Sequence, residues 1–275
     1  MKKILILRVL PFFLLSACTG VRQSEKLTVP DPEPAQQGVF SNPVLDINFP
    51  DPTVIKAPDG AYYVYATNSS VHGKLINIQV HRSEDLVNWE SLGDALPQRP
   101  QWGDKDFWAP HVFFDEEQQT YFLYYSGESI DEGAGKCLGV ATSKNPEGPF
   151  VDMGTPLLCG EGFVNIDPMV YEDPETNKKL LYWGSGFEPI KVQELSKDGL
   201  SFNENSSPIE LVFPLDNEDP ENYQRLVEGP WVTRRGDYYY LYYSGDNCCG
   251  EQAHYAAMVA RSKNATGPFE TLEEA

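Results

Sequence analysis

Arg235-Gly236-Asp237-Tyr238-Tyr239-Tyr240-Leu241-Tyr242-Tyr243-Ser244-Gly245 is the stretch on which the reading of the fold turns. A turn signal, Arg235-Gly236-Asp237, feeds an aromatic run of the residue types that favour a strand. The same plan recurs three times upstream. Tyr62-Tyr63-Val64-Tyr65 follows Asp59-Gly60, Tyr121-Phe122-Leu123-Tyr124 follows Glu116-Glu117-Gln118, and Leu180-Leu181-Tyr182-Trp183 follows Glu175-Thr176-Asn177. The four runs begin 59, 59 and 58 residues apart. Each is followed, after a further strand, by a similar hairpin: Arg82-Ser83-Glu84-Asp85, Thr142-Ser143-Lys144-Asn145, Leu195-Ser196-Lys197-Asp198 and Arg261-Ser262-Lys263-Asn264. Two of these continue alike, as Glu147-Gly148-Pro149-Phe150 and Thr266-Gly267-Pro268-Phe269.

A repeat of this length with about four strands reads as a propeller blade. A two-sheet sandwich would not need so regular a period. The expected fold is all-β: a β-propeller domain over residues 41–275, with four blades filling the repeats. The chain of 275 residues has room for it, and its 22 Gly and 22 Pro, spread throughout, suit short strands joined by turns.

The N-terminus reads as an address. Lys2, Lys3 and Arg8 precede or punctuate an apolar run ending at Leu15, too short for an ordinary membrane span. Leu15-Ser16-Ala17-Cys18 resembles the lipobox of bacterial lipoproteins. That resemblance implies a signal peptide over residues 1–17, lipidation of Cys18, and a place in the bacterial cell envelope, anchored to a membrane. Residues 18–40, rich in Pro, Gln, Ser and charge, read as a flexible tether.

The net charge is −20, and −23 once Lys2, Lys3 and Arg8 are removed. A chain this acidic does not seek nucleic acid or acidic polymers, whereas a neutral substrate is compatible with it. Beyond Cys18 there are four cysteines. Cys137 and Cys159 could pair in an oxidising compartment, and the adjacent Cys248-Cys249 allow a vicinal disulfide or two thiols. No Cys-x-x-Cys pair occurs, so zinc ligation is poorly supported.

Each repeat opens on a similar motif. Phe49-Pro50-Asp51-Pro52 opens the first, Phe107-Trp108-Ala109-Pro110-His111 the second, Asn165-Ile166-Asp167-Pro168 the third and Val227-Glu228-Gly229-Pro230-Trp231 the fourth. In a propeller the first strand of each blade lines the central axis, so these openings converge at one end of the channel. Any one Asp-Pro also suits a plain strand entry. Three carboxyls at matching places, Asp51, Asp167 and Glu228, repel one another and acquire different pKa values. Such an arrangement serves acid–base work on a glycosidic bond. The apolar neighbours of Glu228 would raise its pKa, as a general acid requires.

The set Pro50-Asp51-Pro52, Trp108-Ala109-Pro110, Ile166-Asp167-Pro168 and Val227-Glu228-Gly229-Pro230 resembles glycoside hydrolase family 43 across residues 45–275. The resemblance implies a five-bladed propeller and an inverting enzyme acting on arabinans, xylans and related side chains. It implies Asp51 as the general base and Glu228 as the general acid. Asp167 would stay ionised, orienting Glu228 and tuning its pKa. Base and acid would stand roughly 6.5–9.5 Å apart, leaving room for a water. No cofactor is required for the chemistry. Family members often carry a His from a fifth blade that holds a structural Ca²⁺ or water cluster. None of His72, His81, His111 or His254 sits in that context, so a C-terminally truncated ring and no metal ligands are expected.

Aromatic side chains near the blade openings are candidates to grip a neutral sugar: Phe49, Phe107, Trp108 and Trp231, with His111 as a hydrogen-bonding partner. Inter-blade packing is the competing use of each. The Cys248-Cys249 loop resembles that of some arabinan-cleaving relatives. The expected substrate is a neutral plant oligo- or polysaccharide with α-L-arabinofuranosyl linkages. A β-xylosidase, a galactan-active enzyme and a glycan-binding propeller without turnover are the alternatives, the last disfavoured by the complete acid set.

Overall fold

Turn chemistry and aromatic runs produce four antiparallel sheets in the computed structural model, which describes residues 40–71 and 73–271. The signal peptide, Cys18, nearly all of the tether, His72 and residues 272–275 lie outside the described residues. The first sheet runs β1 (Thr53–Lys56), β2 (Tyr62–Ala66), β5 (Gln79–Ser83), β6 (Glu90–Asp94), with a small ribbon of β3 (Ser69–Val71) and β4 (Lys74–Ile76) inserted after β2. The second runs β7 (Gly103–Asp115), β8 (Thr120–Ser129), β9 (Lys136–Ser143), β10 (Val151–Asp152), and β11 (Leu158–Gly160) also pairs with β9. The third is β12 (Met169–Glu172), β13 (Lys179–Trp183), β14 (Ile190–Glu194) and β15 (Ile209–Val212). The fourth is β16 (Val227–Arg235), β17 (Tyr238–Asn247), β18 (His254–Ser262) and β19 (Glu270–Thr271). Among the described residues no helix occurs. Four consecutive four-stranded meanders packed side by side form the four-blade propeller arrangement expected from the repeat.

The cores lie between blades. Tyr65 of the first blade is fully buried, and its hydroxyl donates 2.5 Å to the Pro146 carbonyl of the second. Tyr124 donates 2.8 Å to the Gly199 carbonyl of the third, and Tyr182 donates 2.7 Å to the Ala265 carbonyl of the fourth. Strand pairing makes these tyrosines equivalent: Thr53, Tyr65 and Val80 stand side by side in the first sheet, His111, Tyr124 and Val140 in the second, Met169, Tyr182 and Val192 in the third. All nine are buried. The Gly-Pro-Phe hairpins supply part of the cover, as Phe150 meets Tyr65 edge-on at 6.3 Å.

The fourth blade carries the same trio as Trp231, Tyr242 and Val259, and there they are 41%, 45% and 38% exposed. The burial pattern records the same difference. Tyr121 to Gly127 of β8 are buried without a break, while β17 alternates buried and accessible positions and β18 has no buried residue before Ala260. Continuous burial marks a strand covered on both faces and alternation one covered on a single face.

An ion pair ties two blades together, and disulfides brace single blades from within. Lys179 of the third blade pairs with Asp115 of the second, both nearly buried. Cys137 and Cys159 are joined by a disulfide between β9 and β11, and Cys248–Cys249 form a vicinal disulfide in the β17–β18 hairpin.

Candidate active site

A proline follows Asp51, Ala109, Asp167 and Gly229, and all four residues have positive φ: 52°, 41°, 56° and 62°. Non-glycine residues rarely take this conformation, which costs on the order of 1–3 kcal/mol where the fold imposes it. Every innermost strand is therefore entered through the same left-handed turn. These four are the equivalent positions of the blades. Glu228 sits one residue earlier, paired with Ser244 across the ladder as Trp108 is paired with Ser126. Glu228 thus matches Trp108 of the second blade, while Gly229 takes the place of Asp51 and Asp167.

The turn aims a backbone N–H at the acid of the preceding blade. Gly229 N–H donates 2.9 Å to Asp167 Oδ2. Ala109 N–H donates 2.9 Å to Thr67 Oγ1, which in turn donates 2.6 Å to Asp51 Oδ2. Asp51 is exposed, and Thr67 is its one side-chain hydrogen-bond partner among the described residues. Its other carboxyl oxygen is therefore free for water.

Asp167 is enclosed by protein atoms yet keeps partial solvent access. Burial, and then the negative charges of Glu228 and Asp51, push its carboxyl well above the usual carboxylate range, against the opposing pull of Gly229 N–H. The three carboxyls thus bear on one space, and the upward push on Asp167 runs against the ionised state that the sequence reading expects for it. Among tightly coupled acids a retained proton belongs to the group rather than to one member. Glu228, half-buried, accepts 2.7 Å from Ser185 Oγ at Oε2 and 2.8 Å from the Tyr255 hydroxyl at Oε1.

The proposed sugar-gripping residues divide. Phe107 is a correction: it is 1% exposed and packed edge-on against Tyr125, in the core between the first two blades. Its neighbour Trp108 points elsewhere, as adjacent strand residues do. Trp108 is half-buried and lines a rim pocket with Asp106, Glu128, Lys136, Glu161 and Phe163. Lys136 Nζ lies 3.5 Å from the centre of the Trp108 ring, held between Glu128 at 3.4 Å and Asp106 at 3.5 Å. Phe49 is half-buried and meets His81 edge-on at 5.0 Å. His111 is buried against Trp231, centroids 5.5 Å apart, bringing the second and fourth blades together. Burial pushes the His111 imidazole down to about 4, so it is neutral at pH 7. One of its ring nitrogens bonds the Val170 backbone, and Nδ1 has no partner. Among the described residues no group of three or more His, Cys, Asp or Glu is placed to hold a metal ion.

Thr67, Ser185 and Tyr255 were missed by the sequence reading. A signal existed for two of them. Thr67, Ser126, Ser185 and Ser244 recur at intervals of 59 residues, each at the end of a blade's second strand. Tyr255 carries no such mark.

With this geometry in place, comparison decides the family. Residues 40–274 match the family model described as glycosyl hydrolases family 43. The chain belongs to that family. It is 31% identical over 236 residues to a probable arabinan endo-1,5-alpha-L-arabinosidase A of Aspergillus flavus, covering 81% of this chain and 68% of the relative. It is 29% identical to a beta-D-galactofuranosidase of Aspergillus niger, over 96% of this chain and 74% of the relative. A crystal structure of an exo-1,5-alpha-L-arabinanase from a bovine ruminal metagenomic library superposes with a TM-score of 0.65 at 27% identity, over 82% of this chain and 75% of that one. As a member of family 43, the chain is a glycosidase, and its chemistry requires no cofactor.

Proposed function

We propose that this glycosidase cleaves α-L-arabinofuranosyl linkages in arabinan or arabinoxylan with inversion at the anomeric carbon. The observation that carries the reading is the meeting of Asp51, Asp167 and Glu228, from three blades, in one mutually repelling set. Glu228 gives its proton to the glycosidic oxygen as the bond to the anomeric carbon breaks, and the electron pair leaves with that oxygen. A water attacks the opposite face of the sugar and gives its proton to Asp51. Repulsion among the three carboxyls keeps a proton in the set, available to Glu228. Inversion calls for a separation of roughly 6.5–9.5 Å between Asp51 and Glu228. Trp108, half-buried at the rim pocket, offers ring surface to the sugar, whereas Trp231 belongs to the uncovered blade face and His111 Nδ1 is buried.

Two of the three relatives named above support an arabinofuranosyl substrate, one being a probable endo- and the other an exo-acting enzyme, while the third is a beta-D-galactofuranosidase. The uncovered trio Trp231, Tyr242 and Val259 supports a fifth blade seated on the fourth, completing the ring as the family resemblance implies. Cys18 in its lipobox supports a lipid anchor in the cell envelope, which would hold the enzyme beside its polymeric substrate.

The test is product release from debranched arabinan, arabinoxylan and xylan by wild type and Glu228→Gln. Arabinose or arabino-oligosaccharides from wild type alone support the reading. Xylose as the main product moves the assignment to a β-xylosidase. A folded protein that binds arabinan and releases nothing overturns the enzyme reading.

A further inference from the structure

Both oxygens of the Glu228 carboxylate are taken by hydroxyl donors that stand outside the three acids. Ser185, completely buried just beyond the end of β13, donates to Oε2. Tyr255, on β18, donates to Oε1. Behind Tyr255, the Ser244 hydroxyl faces the phenol within the fourth blade. Ser244 also stands opposite Glu228 in the β16–β17 ladder, so one short piece of sheet fixes all three.

We propose that Tyr255 and Ser185 are positioning residues that set the acid strength of Glu228 and hold its carboxyl in the orientation for proton delivery. The inference rests on Glu228 being the general acid. The charged groups facing this space are Asp167, from the entry to β12, and Asp51, from the entry to β1. Their charges favour holding a proton in the set. A general acid must also let it go. Hydrogen bonds donated to a carboxylate favour its charged form. When Glu228 passes its proton to the glycosidic oxygen, the bonds from Ser185 and Tyr255 become charge-assisted and shorten. They strengthen as the barrier is crossed, which is the condition for an interaction to raise the rate. Tyr255 remains a donor throughout, because burial and the adjacent Glu228 charge push its phenol well above the ordinary tyrosine range.

Tyr255→Phe removes the hydroxyl and keeps the ring. On an unsubstituted arabino-oligosaccharide, kcat is expected to fall about 10- to 100-fold with KM nearly unchanged, the effect of losing a hydrogen bond to a charged group. With a donor to the carboxylate gone, the acid holds its proton to higher pH. The alkaline limb of the kcat/KM profile is then expected to move upward by about half to one pH unit. On an aryl arabinofuranoside with a good leaving group, which needs little protonation, the loss in kcat should be several-fold smaller. Ser185→Ala reads the same quantities from the other oxygen, and serves if Tyr255→Phe does not fold. An alkaline limb that stays in place in the folded variants, or a loss confined to KM, overturns the proposal. Glu228→Gln on the same oligosaccharide separates the two claims: retained turnover there removes Glu228 as the acid whatever Tyr255→Phe does.

Discussion

Asp167→Asn should make the protein more stable and less active, and the stability gain should depend on pH. Asp167 is enclosed, faces two other carboxyls, and has one compensating N–H, from Gly229. Its folded pKa is raised above the unfolded value of about 3.9. Between those two values the native state binds more protons than the unfolded state, so stability falls as pH rises through the window. Below about pH 4 both states are protonated and there is no penalty. Each pH unit of upward displacement corresponds to about 1.4 kcal/mol. The upward displacement therefore destabilises the native state at neutral pH. Asn keeps an oxygen for Gly229 N–H and carries no charge. In a domain of this size 1 kcal/mol moves Tm by about 2–4 °C, so for each pH unit of displacement the variant should melt about 3–6 °C higher at pH 8. Calorimetry or circular dichroism from pH 4 to 8 measures the gap, which should close towards pH 4, while kcat falls. A gap independent of pH, or a variant less stable at pH 8, would refute the reasoning.

The interblade tyrosines offer a graded test. Tyr124→Phe and Tyr182→Phe each remove a buried hydroxyl from the carbonyl of the next blade and should cost about 1–2 kcal/mol by urea denaturation, whereas Tyr242→Phe, on the uncovered face, should cost almost nothing. Lys179→Met strands the Asp115 carboxyl in the second blade. Burial works against that charge, and Lys179 and Gln118 together hold it below the usual range, so stability should drop by about 3 kcal/mol at pH 7 and by less once Asp115 is protonated. Replacing Cys137 and Cys159 by Ala together opens a 22-residue separation and should cost about 3 kcal/mol in the same assay.

The propeller was legible because its period is written locally, in turn residues followed by aromatic strands. The acids were legible because each precedes or nearly precedes a proline at a blade opening. What sequence alone blurred was register. Asp51, Asp167 and Glu228 looked like matching positions, yet Gly229 is the true counterpart of the two aspartates and Glu228 lies one residue before it. The second and fourth blades share the same register shift here, so the difference lies only in which residue of the turn carries the carboxyl. Phe107 and Trp108 look alike as candidates, but pleating buries one and turns the other to the rim. That Asp51, Asp167 and Glu228 meet followed from the repeat; how burial and repulsion bear on Asp167 depends on packing that no local pattern records. Tyr255 was invisible for the same reason, since its partner lies 27 residues away on another strand.

The most direct test of the account is the configuration of the first product. Proton NMR during hydrolysis of an α-L-arabinofuranosyl oligosaccharide should show the β-anomer appearing first and then mutarotating, with no signal from Asp51→Asn or Glu228→Gln under the same conditions. A first product that retains the α configuration would contradict the assignment of Asp51 as a base acting through water.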